Sequence, residues 1–191
     1  CIAVGLLAFK LYPVVKNKID SSKKVDLINY RYPVSQHIID QQSPANPWAK
    51  AIGDFDGDGV GDLIVAGSHG PLVMYRSGGK DKTVIGSRNA YYTQSGIALG
   101  DIDNDGDIDI VFGDVWLENP RPKGNVSALW SLHSIGAAAT NHNVELADLN
   151  KDGNLDIIMR GETSSLVTIL IHDPSGFWSI RMVEPGAGRN G

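Results

Sequence analysis

Beyond the first fifteen residues, apolar side chains come in short runs punctuated by glycine, aspartate and asparagine. Leu63 to Ala66, Ile110 to Phe112 and Ile157 to Met159 are too short for helices and suit buried strands. Each is preceded by a second strand-like stretch: Ala51-Ile52-Gly53, Ala98-Leu99-Gly100 and Glu145-Leu146-Ala147. Between the two members of each pair lies a nine-residue acidic loop, beginning at Asp54, Asp101 and Asp148, so that each start falls 47 residues after the last. Each period holds about four strand candidates. The first has Trp48 to Gly53, Leu63 to Gly67, Pro71 to Arg76 and Lys82 to Gly86. The second has Gly96 to Gly100, Ile110 to Phe112, Val115 to Leu117 and Trp130 to Ile135, and the third Val144 to Ala147, Leu155 to Arg160, Leu166 to His172 and Trp178 to Val183. Helical periodicity of any length is missing. Four strands per repeat of 40 to 50 residues predict an all-β chain, a β-propeller of four-stranded blades.

The loops carry the chemistry. Oxygen side chains stand at positions 1, 3, 5 and 9, with glycine at 6 (Gly59, Gly106 and Gly153) where the chain must turn sharply. Calcium takes 6 to 8 oxygens at about 2.3 to 2.6 Å, which side chains at these positions, one backbone carbonyl and water would supply. The predicted ligands of the first loop are Asp54, Asp56, Asp58 and Asp62 with the carbonyl of Val60. The second offers Asp101, Asp103, Asp105 and Asp109 with the carbonyl of Asp107; the third offers Asp148, Asn150, Asp152 and Asp156 with the carbonyl of Asn154. With an amide in place of one carboxylate, the third should bind most weakly. The bland alternative is a polar turn whose side chains only bond their own backbone, but three copies in register favour the metal. An EF-hand is excluded, because position 12 is Val65, Phe112 and Met159 rather than glutamate. A cysteine-stapled repeat is excluded too, since Cys1 is the only cysteine.

Charge changes this picture only slightly. The loops hold four, five and three Asp, which is 12 of the 22 acidic residues behind a formal charge of −5. Three calcium ions would add six charges and bring the total to +1. The acidity therefore belongs to the loops; it argues against nucleic acid as a partner and points to no other.

Outside the repeats, Cys1 to Phe9 is continuously apolar and is followed by Lys10, as in a secretory signal or the end of a membrane anchor. Residues 1–15 are read as that segment and residues 16–32 as a polar linker. Tyr32 to Ile39 has the character of a strand, and Gln36 falls at the same place in the period as Trp130. Residues 33–47 are accordingly expected to form the outer strand of a closing blade, ahead of repeats at 48–94, 95–141 and 142–191, the last including the start of the next. Three blades cannot close a ring. The chain is expected to be a fragment of one with about six to eight blades, with the next loop due near position 195.

These loops and their flanks resemble the FG-GAP/VCBS repeat family, which includes integrin α propellers and many exported bacterial proteins. The resemblance covers about residues 33–191, and its specific feature, D-x-D-x-D-G-x-x-D with Asn150 for one Asp, occurs three times. The Phe-Gly-Gly-Ala-Pro element is not matched, and Trp116-Leu117-Glu118-Asn119-Pro120 followed by Trp130 and His133 is more similar to the bacterial secreted branch. The resemblance implies a secreted, cell-surface or periplasmic protein. Its partner would be an extracellular glycan or protein, with no nucleic acid and with membrane contact only through an N-terminal anchor.

No Gly-x-Ser-x-Gly, His-Glu-x-x-His or phosphate-binding glycine loop is present. Some polysaccharide lyases resemble this scaffold and draw His, Tyr and Arg from several blades; here the candidates are His37, His69, His133, His142, His172, Tyr91, Tyr92 and Arg160. Packing is the better account of most of them. Trp116, Trp130 and Trp178 are likewise expected in blade cores rather than as sugar platforms. Asn125-Val126-Ser127 is a glycosylation sequon, a short pattern common by chance.

Overall fold

A computed structural model describes residues 38–42, 44, 47–67, 70–86, 96–136, 143–161 and 167–183. Twelve strands occur among them, in three antiparallel sheets of four. The first sheet holds β1 (Pro47–Gly53), β2 (Asp62–Gly67), β3 (Leu72–Arg76) and β4 (Asp81–Gly86). β5 (Ile97–Gly100), β6 (Asp109–Phe112), β7 (Val115–Glu118) and β8 (Ser131–Ser134) form the second. The third is β9 (Asn143–Ala147), β10 (Asp156–Arg160), β11 (Val167–His172) and β12 (Trp178–Val183). Sequential order equals spatial order in every sheet, and the only helix among the described residues is a 3-10 turn at Ser77–Gly79. This is the expected blade, with strand ends displaced by one residue at several places.

The sheets are held together by their alternation. In the middle sheet Ile110, Phe112, Val115 and Leu117 pack toward the first sheet, joining Phe55, Ile64, Leu72, Met74 and Trp130 in one core. Val111 and Trp116, one step out of phase, join Ile102, Val144, Ile157, Met159 and Leu170 in a second core toward the third sheet. A strand covered on both faces needs an apolar residue at every position. That is why Ile110-Val111-Phe112 is a continuous run and is buried throughout. The first strands β1, β5 and β9 lie side by side along one edge. There the sheets approach closely: a Cβ on Gly100 would come within 2.6 Å of Leu155 Cδ1 and 2.9 Å of Leu146 Cδ1.

The trailing strand expected at 33–39 falls mainly outside the described residues, and Ile38 and Ile39 are not in a strand. Asp40, just after it, accepts hydrogen bonds from Tyr75 (2.8 Å) and pairs with Lys82 (2.7 Å). These partners hold its carboxyl well below the usual range, Lys82 foremost. The segments 1–15 and 16–32 lie outside the described residues, and no described helix is long and apolar enough to cross a membrane.

Phe55 joins loop to core: it is fully buried and meets Trp130 edge-on, with centroids 5.8 Å apart. Phe55→Ala is expected to cost about 3–5 kcal/mol in urea unfolding, whereas Val84→Ala, at a half-exposed site on β4, should cost far less.

Candidate metal centre

Each acidic loop joins the first two strands of its sheet, and the same hydrogen bonds recur in all three. The carboxylate at position 1 accepts the N–H of the glycine at position 6, at 2.9 Å for Asp54 and Asp101 and 3.0 Å for Asp148. Position 3 accepts from position 5: Asp56 from Asp58, Asp103 from Asp105, and Asn150 from Asp152. Position 5 accepts from position 7: Asp58 from Val60, Asp105 from Asp107, and Asp152 from Asn154. Position 9 accepts from position 2, so Asp62 takes the N–H of Phe55, Asp109 that of Ile102 and Asp156 that of Leu149.

The polar-turn bonding is therefore present, but it leaves oxygens over. Carboxylate oxygens of Asp54, Asp56 and Asp58 lie within 4.8 Å of one another, as do those of Asp101, Asp103 and Asp109. Like charges at that spacing repel by roughly 3–4 kcal/mol per pair at an effective dielectric of 20. Asp54 Oδ1 is enclosed with no hydrogen-bond partner. An oxygen-rich set with an orphaned buried acceptor fits a hard cation, and these two clusters could hold one. In the third loop the Asn150 amide donates to Asp152 Oδ2 at 2.8 Å, supplying internally part of what a cation would.

The position-9 carboxylates are the inner anchors. Asp62, Asp109 and Asp156 are all buried. Asp109 also accepts the N–H of Asn119 at 2.8 Å, and Asp156 that of His172 at 2.9 Å, which ties each loop to the end of the third strand of its sheet. Burial pushes the Asp109 carboxyl up to about 7 and raises Asp62 and Asp103 as well.

Several contributors carried no signal in the sequence. Asn119, itself buried, donates from its amide to the carbonyls of Phe55 (3.0 Å) and Ile108 (3.2 Å), linking the first loop to the second. Arg76 pairs with Asp56 at 3.3 Å and donates to Ser127 Oγ at 2.9 Å, which gives the sequon serine a packing role. Arg121 pairs with Asp107 at 3.5 Å and covers Gly57. The second and third loops touch directly, through Asn104 Nδ2 and Asn154 Oδ1 at 2.8 Å. Position 4 is left-handed in every loop: Gly57, Asn104 and Lys151 all have φ between 62° and 73°. Only Gly and Asn hint at that left-handed geometry, and Lys151 does not.

Of the candidate catalytic residues, His37, His69, His142, Tyr91 and Tyr92 lie outside the described residues. His133 stacks on Trp116 with centroids 4.3 Å apart and meets Glu118 at 2.7 Å. His172 stacks on Trp178 at 4.1 Å, and burial lowers its pKa. Arg160 is exposed at the end of β10. Trp116 and Trp130 are core residues, as expected, while Trp178 is only half-buried.

Four-stranded sheets with an acidic loop between their first two strands define a β-propeller-type repeat protein. The chain is similar to the FG-GAP-like repeat family, whose model matches residues 33–112, a span that takes in the first two loops. Integrin alpha pat-2 of Caenorhabditis briggsae is 42% identical over 78 residues, and that of Caenorhabditis elegans 41% over the same length. Each alignment takes in 35% of this chain but only 6% of the relative, so the chain spans a small part of the curated relatives it matches. Neither match bears on the bacterial secreted branch.

Two measurements probe the loops. Lys151→Gly removes a side chain from a left-handed position at φ 64° and is expected to stabilise the chain by up to about 1 kcal/mol. In chelator, the raised Asp109 value means that the native state binds the extra proton. Its contribution to stability is therefore greatest below the unfolded value of 3.8 and declines as pH rises through about 7. Asp109→Asn should accordingly lower the urea midpoint more at pH 5 than at pH 8.

Proposed function

We propose that this chain is a calcium-stabilised propeller-repeat module, exported and used for adhesion or for binding an extracellular glycan or protein. The calcium is structural. The observation that carries the reading is the threefold recurrence of one loop bonding pattern, which in the first and second loops leaves acidic oxygens within 4.8 Å of one another. Asp54, Asp56, Asp58 and Asp62 would hold the first ion, and Asp101, Asp103, Asp105 and Asp109 the second. Asp148, Asn150, Asp152 and Asp156 would hold the third, with the carbonyls of Val60, Asp107 and Asn154 as further oxygens. Bound only by the native loops, calcium would add folding free energy and offset the repulsion of the carboxylates. Export and a surface partner are supported by the family match and by the likeness to integrin α chains.

The polysaccharide-lyase reading requires His, Tyr and Arg from neighbouring blades in one groove. His133 and His172 do line a common cavity, but no arginine is among the described residues lining it.

Calcium titration by calorimetry, with thermal unfolding in calcium and in chelator, tests the proposal. Stoichiometric uptake at three sites is expected, each adding about 2.7 kcal/mol at a hundredfold excess over its Kd. Asp105→Ala should remove the second site and Asp152→Ala the third. Equal melting in calcium and chelator would overturn the reading.

A further inference from the structure

Between the second and third sheets, on the side of the metal loops, lies an open cavity of about 560 Å³. Its volume is within the usual range for small-molecule sites. Two aromatic pairs form its walls. On the second sheet Trp116 of β7 faces its cross-strand partner His133 of β8, with rings 18° from parallel. On the third, His172 of β11 faces Trp178 of β12 with rings 9° from parallel. Both indoles are thus held flat by an imidazole, so little rotamer freedom remains to be lost when a ligand enters. His172 is 9% exposed, and its Nδ1 is enclosed with no hydrogen-bond partner. A wall carrying such an atom is not fully satisfied by folding alone.

The polar groups select the ligand class. Asp103 and Asp173 contribute carboxylates, and no lysine or arginine is among the described residues lining the cavity, which disfavours an anion. A cation would need those carboxylates. Asp103 belongs to the second acidic loop, however, and Asp173 is engaged by the N–H and hydroxyl of Ser175. The linked amides of Asn104 and Asn154 stand at the edge, groups able both to donate and to accept. Flat indole surface beside amides and hydroxyl acceptors suits a neutral, hydroxyl-rich ring with one apolar C–H face.

We infer that the cavity between the second and third blades binds one ring of a neutral glycan, with the exposed part of Trp178 as its platform. This deepens the partner side of the proposed function and rests on it. Asp103 belongs to the second loop and also lines the cavity, so the sugar site lies beside the second proposed calcium site.

The test is titration of the calcium-loaded chain with methyl glycosides of glucose, galactose and mannose and their neutral oligosaccharides, followed by tryptophan fluorescence. Glucuronate and tetramethylammonium serve as anionic and cationic comparators. A neutral sugar should saturate, Trp178→Ala should weaken it at least tenfold, and Trp48→Ala on the first sheet should leave it unchanged. Should Trp178→Ala fail to fold, the indole N–H resonances of the native chain decide: those of Trp116 and Trp178 should move, and those of Trp48 and Trp130 should not. No saturation by any neutral sugar, preference for either comparator, or shifts confined to Trp48 and Trp130 would overturn the inference. Calcium stabilisation without sugar binding would remove this inference alone. Sugar binding without calcium stabilisation would remove the structural-calcium reading and leave the cavity its ligand.

Discussion

Repulsion among carboxylates at the mouth of each hairpin is the constraint on which the structure turns. Nothing in a four-stranded sheet requires acidic side chains at alternate positions of its first connection, and gathering them is costly in the absence of positive charge. The chain meets part of that cost with its own N–H groups, directed at one oxygen after another by left-handed residues at positions 4 and 6. Internal substitutes for positive charge stand at particular loops. Arg76 lies against Asp56 in the first, and the Asn150 amide against Asp152 in the third. The three loops share a backbone and differ in electrostatics.

The loops are also structural joints. A buried carboxylate at position 9 binds both the start of its own loop and, in the second and third sheets, the end of the third strand. Asn119 extends the connection from the second loop to the first, and the Asn104–Asn154 bond extends it from the second to the third. Ion binding at one loop would therefore stiffen the ends of several strands and, through Phe55 and Ile102 at position 2, the cores between sheets. In the proposed structural role for calcium, one ion would order a hairpin mouth, a loop contact and an intersheet core together.

The cavity beside the second and third loops combines residues from two sheets and two acidic loops, and its aromatic walls are cross-strand pairs with Trp and His exchanged between the strands. The same pairs account for two histidines that catalytic readings would otherwise claim. His133 and His172 hold indoles in place, and His133 is further held by Glu118.

Much was legible from spacing. The period of 47, the four strands per period and the oxygen positions of the loops are local features, set by the alternation of apolar runs and by Asp, Asn and Gly at defined offsets. Those offsets also identify the carboxylates that gather, because the loop is nine residues long and bonds to itself. What the sequence could not show is what meets across blades. Val111 and Trp116 face one neighbour while Ile110 and Phe112 face the other. Arg76 reaches Ser127, 51 residues on, and Asn119 and Arg121 reach Phe55 and Gly57 of the first loop. Trp116 and Trp178, 62 positions apart, come to line one cavity. Short-range order is written in the loop and strand chemistry; long-range pairing depends on how three sheets stack, and only the packed structure decides it.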